Sequence, residues 1–222
     1  GVQARLRNVR PDATSLRMSA DSALPTPNPL QLRSQRRRPV PAGMRRWLQA
    51  EGSLTRHLTR ASGRVRVQVL QQGSDALWPE EIAALQRQPF QQAGSSHVRT
   101  VLLWCGPPGA ERPAVLARSA VLAPQSRLRW RGLRGLGDKP LAQLLFDTPH
   151  IHRSPLRWRH DAAHGPAARH VLQLWQRHAP GHAAMLPRQG IWRRSSVFDI
   201  GGARILVTEW FAPEVFGWPA PK

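Results

Sequence analysis

Lysine is almost missing from this 222-residue chain: only Lys139 and Lys222 occur, so nearly all of its 33 basic residues are arginines. Acids are scarce as well, 13 in number, and the formal net charge is +20. Such an excess suits a nucleic acid, an anionic membrane or an anionic substrate, and equally an arginine-biased composition with no such partner. Cysteine is limited to Cys105, which excludes an intrachain disulfide; its place in the apolar run Val101-Leu-Leu-Trp-Cys105 reads as a buried thiol rather than a nucleophile. No apolar stretch nears the roughly 20 residues that span a bilayer, and no secretion-signal pattern is visible. A soluble, cytoplasmic protein without internal repeats is expected.

What is present divides the chain. Residues 1–42 read as a disordered basic arm: ten arginines stand against two acids in residues 1–46, Pro25, Pro27 and Pro29 break any helix, and Arg36-Arg-Arg38 is a solvated charge run. The same prolines argue against a mitochondrial transit peptide, which needs an amphipathic helix. Met18 and Met44 are internal candidates for a start. A single domain is expected over 43–216, with an insertion at about 149–190 and a tail at 217–222; its 41% hydrophobic content is enough for one core.

Within the domain, Ala42–Ala50 is helix-like and Ser53 is an N-cap for a second helix. Val65, Val67 and Val69 alternate with polar residues as a half-buried strand does. Pro79-Glu-Glu81 opens a short helix, with proline at its first position and acids in its first turn. Apolar runs at 97–105 and 114–122 form a hairpin around Gly106-Pro-Pro-Gly109, and a second hairpin pairs 191–200 with 203–211 across Gly201-Gly202. Between them, Gly135–Leu141 leads into a short helix ending near Phe146. Strands and helices come in clusters without a regular strand-helix rhythm, so the fold expected is α+β with an antiparallel sheet.

Seven of the nine histidines fall in 149–190: His150, His152, His160, His164, His170, His178 and His182. They lack a nearby cysteine, have Asp161 as their only acid, and show no zinc motif beyond two His-x-x-x-His pairs. A surface insertion carrying one amphipathic helix, packed through Val171, Leu174 and Trp175, accounts for the segment without a metal.

Two charges stand out by their register. Alternation along Val98–Leu103 puts Arg99 on the face of Val101 and Leu103, and along Ile205–Phe211 it puts Glu209 with Ile205, Val207 and Phe211. Burying either charge alone would cost several kcal/mol. Either the two pair with each other or with other charges, or they face a pocket in which the guanidinium grips a carboxylate and the carboxylate accepts from a hydroxyl.

The ordered series Glu51-Gly-Ser-Leu-Thr55, Val98-Arg-Thr-Val-Leu-Leu103, Ala117-Arg-Ser119, Leu136-Gly-Asp-Lys-Pro-Leu141 with Leu145-Phe146, Arg193-Arg-Ser195 and Thr208-Glu-Trp-Phe-Ala-Pro213 resembles the chorismate pyruvate-lyase family over about residues 45–213. Three departures are Ala117 where some members have glycine, Trp192 directly before Arg193-Arg-Ser195 where one residue often intervenes, and the long segment at 149–190. The resemblance implies an antiparallel sheet of about six strands, helical flaps over a buried ligand, no metal or organic cofactor, and cleavage of chorismate to 4-hydroxybenzoate and pyruvate on the way to ubiquinone. It further implies Leu54, Arg99, Leu141 and Glu209 as substrate-binding positions, with Arg99 on the ring carboxylate, Glu209 on the ring hydroxyl, and Leu54 and Leu141 lending flap amides and apolar cover. Arg99 and Glu209 would be the catalytic pair; chorismate would be the partner of a monomer that binds no nucleic acid. The same fold also occurs as an effector-binding domain in GntR-type regulators, but the proline-rich arm is too short for a DNA-binding winged helix. A nucleic-acid-binding role, suggested by the charge and the interspersed tryptophans, finds no recognised motif here.

Overall fold

The computed structural model describes residues 40–86, 96–147 and 149–221. The expected arm therefore lies outside the described residues as far as residue 39. The elements run α1 (Ala42–Gln49), α2 (Leu54–Ser62), β1 (Val65–Asp75), α3 (Pro79–Leu85), β2 (Ser96–Cys105), β3 (Arg112–Leu122), α4 (Ala123–Arg127), α5 (Arg131–Arg134), α6 (Leu141–Asp147), β4 (His152–Arg153), β5 (Arg157–Ala162), α7 (Pro166–His178), a 3-10 turn (Pro180–Met185), β6 (Gly190–Ile200), β7 (Ala203–Phe211) and a closing 3-10 turn (Pro213–Gly217).

Among the described residues one antiparallel sheet of seven strands organises them, in the order β1-β2-β3-β7-β6-β4, with β5 also paired to β6. The architecture is α+β, one strand richer than the six expected. The extra pairing comes from the segment at 149–162: β4 meets β6 at Phe198 and Asp199, while β5 runs along it from Gly190 to Ser195. The stretch expected as a surface insertion thus supplies an edge of the sheet. Its helix α7 then buries Ala168, Val171 and Trp175 in the main core. Likewise, Trp218 and Ala220 of the expected tail pack against that core.

The β6–β7 hairpin turns at Gly201 and Gly202, whose φ angles of 57° and 91° are those a two-residue hairpin turn of this hand requires. Ser53 caps α2, its hydroxyl accepting from the Arg56 amide at 3.2 Å. Alternation then sorts the strands into two faces. Leu102, Leu116 and Trp210 lie in one row and pack in the same cluster as α7; Val101, Ala117 and Glu209 lie in the neighbouring row and point to the other face. On that second face Leu54 and Leu58 of α2 cover one end, and Trp130, Leu133, Leu136 and Leu145 form a separate cluster with Phe198, Ile205 and Val207 at the other. The space between these two apolar clusters is the cavity described next.

Candidate active site

Sheet and helices line a partly open cavity offering about 60 Å³ to the centre of a water-sized sphere, several times what one water needs. Its floor is Val67, Arg99, Val101, Leu103, Ala117, Ser119, Val207 and Glu209, from four adjacent strands. Gly52, Leu54 and Thr55 close one side, and Pro140, Leu141, Ala142, Leu145 and Phe146 the other. All four residues singled out from the sequence, Leu54, Arg99, Leu141 and Glu209, line this one space. Leu54 and Leu141 are the first residues of α2 and α6, so both flaps present a helix start to the cavity.

Arg99 and Glu209 do not pair with each other. Arg99 is 2% exposed, and its Nη2 donates to the carbonyls of Gly137 at 2.8 Å and Lys139 at 3.0 Å. Among the described residues its Nε has no hydrogen-bond partner. Burial pulls its pKa below the ordinary arginine value, with the charge of Asp138 working the other way. Four arginines are buried among the described residues, and three of them meet carboxylates: Arg118 meets Glu81 and Asp75, Arg193 meets Glu80 and Asp161, and Arg194 meets Glu209. Among the described residues Arg99 makes no such ion pair, and a desolvated guanidinium on the cavity wall without a carboxylate is able to receive one.

Glu209 is held from behind. Arg194 Nε donates to its Oε2 at 2.6 Å, and Arg194 Nη1 donates to the carbonyls of Trp47 at 3.0 Å and Ala50 at 2.8 Å. One fully buried guanidinium therefore fixes the carboxylate and satisfies the last carbonyls of α1 together. That leaves Glu209 Oε1 without a hydrogen bond among the described residues and able to accept from a hydroxyl in the cavity.

Two further residues belong to the site. Arg194 lies inside the Arg193-Arg-Ser195 motif, but its inward turn becomes apparent only from the pairing of β6 with β7, which sets it opposite Glu209. Arg153 reaches the cavity from β4 and stacks its guanidinium 5.0 Å from the Phe198 ring centroid. No sequence signal marked Arg153, because a two-residue strand carries too little alternation to read.

The residues between 28 and 218 match the family model described as chorismate lyase. The chain belongs to the chorismate lyase family. It is 38% identical over 180 residues to a probable chorismate pyruvate-lyase of Albidiferax ferrireducens, covering 80% of this chain and 86% of the relative. A second relative of the same description, from Cupriavidus pinatubonensis, is 35% identical over 181 residues, covering 82% of this chain and 86% of its own. Among solved structures, the C-terminal domain of the histidine utilization repressor from Pseudomonas syringae pv. tomato aligns at 12% identity and a TM-score of 0.43, over 68% of this chain and 93% of that one.

In this chorismate lyase family member the histidine-rich segment has a packing role. His160, His170 and His182 meet Trp192, Trp78 and Trp104 edge-on, with ring centroids 5.2 Å, 5.6 Å and 5.8 Å apart. Among the described residues no three His, Cys, Asp or Glu side chains converge as a metal site would require. No helix among them is long and apolar enough to cross a membrane.

Proposed function

We propose that this cavity converts chorismate to 4-hydroxybenzoate and pyruvate, the entry step toward ubiquinone, in a cytoplasmic monomer. The single observation that supports this reading most is the pair of opposite charges set apart on one cavity wall, Arg99 without a carboxylate and Glu209 with one oxygen free among the described residues. Arg99 grips the ring carboxylate. Glu209 accepts from the ring hydroxyl, and Leu54 and Leu141 cover the ring.

The reaction is an elimination that balances within the substrate. The ether carbon–oxygen bond breaks, the carbon bearing the hydroxyl loses its hydrogen, the ring becomes aromatic, and the side chain leaves as pyruvate after its methylene carbon gains a proton. Aromatisation supplies the driving force, so the protein contributes orientation and charge placement. Glu209, holding the hydroxyl, helps polarise the carbon that loses hydrogen. Flaps closed over the ring make product release slow.

Chorismate mixed with the purified full chain, with a chelator present, is expected to yield 4-hydroxybenzoate and pyruvate in equal amounts. Arg99→Ala and Glu209→Ala are each expected to lower kcat/KM by roughly 100-fold or more. Wild-type kcat/KM in both variants would overturn the residue assignment. Binding of 4-hydroxybenzoate with no turnover of chorismate would mark an effector-binding domain instead.

A further inference from the structure

Chorismate carries two carboxylates, one on the ring and one on the enolpyruvyl ether, and Arg99 accounts for only the first. The second lies on the substituent next to the hydroxyl-bearing carbon. With the ring carboxylate at Arg99 and the hydroxyl at Glu209, that second anion falls on the Glu209 side of the cavity.

Arg153 stands there. Its Nε donates to Ser196 Oγ at 3.0 Å and its Nη1 to the Gly52 carbonyl at 3.1 Å, while its plane rests on Phe198. Strand, flap and ring together hold the guanidinium in one orientation. Among the described residues its Nη2 donates to no protein acceptor, and no carboxylate lies within 4.0 Å of it. Burial depresses its pKa, Glu209 is the foremost opposite charge acting on it, and Arg194 opposes it. Arg153 lines both this cavity and the cleft beside it, and a half-buried, oriented cation with an unused donor edge is short of one anion.

We propose that Arg153 binds the enolpyruvyl carboxylate of chorismate, a contact that the one-carboxylate aromatic product cannot make. This rests on the chorismate reading above. The contact is made only while the ether is intact: once the bond breaks, the carboxylate leaves with pyruvate and 4-hydroxybenzoate has nothing to offer Arg153. The Nη1 bond to Gly52, two residues before Leu54, places the same side chain against the base of the α2 flap.

The test compares two ligands in four proteins: wild type, Arg153→Gln, Arg153→Lys and Arg99→Gln. Chorismate turnover gives KM and kcat, and quenching of tryptophan fluorescence gives the Kd of 4-hydroxybenzoate. Arg153→Gln is expected to raise KM for chorismate about tenfold or more while leaving the 4-hydroxybenzoate Kd within about twofold. Arg153→Lys, which keeps the charge but loses the fork, shows the same split in smaller measure and serves where the glutamine variant does not fold. Arg99→Gln weakens both ligands. Equal losses for both ligands in the Arg153 variants would reduce Arg153 to a support of the cavity wall, and an unchanged KM would remove it from the site; either result overturns the proposal. Were wild type to bind both ligands without turnover, the lyase reading would fall, and the Kd for chorismate in place of KM would still decide the role of Arg153.

Discussion

At the scale of single residues, the site is defined by what each arginine lacks. Arg118 lacks nothing: Glu81 accepts from its Nε at 2.7 Å and its Nη2 at 3.2 Å, Asp75 from its Nη1 at 3.1 Å, and Trp78 lies 4.5 Å away as a cation–π partner. Removing Glu81 takes away two of the guanidinium's bonds and leaves the half-buried Asp75 as its remaining carboxylate. Glu81→Ala is therefore expected to cost about 3–5 kcal/mol, read as a drop in Tm or in the midpoint of urea unfolding. Arg99 shows the opposite economy, trading an ion pair for two carbonyls and an open edge. Cys105 contributes only packing. Burial pushes its thiol up to about 11, partly offset by a hydrogen bond with Ser62, so it stays protonated at neutral pH. A thiol reagent is expected to modify native protein far more slowly than the urea-unfolded chain; equal rates would show the thiol to be accessible.

At the scale of elements, two helix starts and one loop govern the cavity. Ser53→Ala removes the α2 cap and is expected to cost about 1 kcal/mol of stability. Because Leu54 and Thr55 line the cavity, KM for chorismate should rise in the same variant, which steady-state kinetics would detect. Gly137 sits at a φ of 56°, and its carbonyl accepts from Arg99. A side chain there strains the turn, and Gly137→Ala is expected to lower kcat/KM with a stability loss of only about 1–2 kcal/mol. These elements were unequally legible in the sequence. The hairpin across Gly201-Gly202 and the helix behind Ser53 carry strong local signals, and both form as expected. The β1 strand runs on to Asp75, past the three alternating valines, because Ser74 and Asp75 find partners in His97 and Ser96; the register also slips between Val69 and Gln71, which no alternation rule announces. Strands β4 and β5 were invisible because their residues are mostly polar and, among the described residues, they pair with β6 alone.

At the scale of the whole molecule, stability should depend on pH through groups outside the cavity lining. His97 and His170 are both held below the ordinary histidine value, chiefly by burial, with Arg134 adding to it at His97 and Arg118 at His170. The folded state therefore binds protons less readily than the unfolded chain, whose histidines titrate near 6.5. Their stabilising effect is complete above that value and is lost as pH falls below it. Asp75 acts lower on the scale: burial raises its pKa, but the hydrogen bond and charge of Arg118 and the Ala76 amide outweigh burial and bring it below 3.8. Its contribution is present above 3.8 and is lost as pH falls further. Melting curves are expected to show Tm declining from about pH 6.5 downward, with a shallower decline in His97→Gln and His170→Gln variants. A Tm unchanged between about pH 7.5 and 5 would contradict the histidine assignment.

Local order in the chain was enough to determine the α+β class, the inward facing of Arg99 and Glu209, and the motif series that shows the family, because side-chain alternation and turn chemistry act over a few neighbouring residues. Which carboxylate each buried arginine would meet was not encoded at that range. Arg194 and Glu209 become neighbours through strand pairing, Arg118 and Glu81 through a helix crossing the sheet, and Arg153 arrives from a two-residue strand at the far edge. Only the closed tertiary structure pairs those charges, and in doing so it leaves Arg99 as the buried guanidinium with no carboxylate among the described residues.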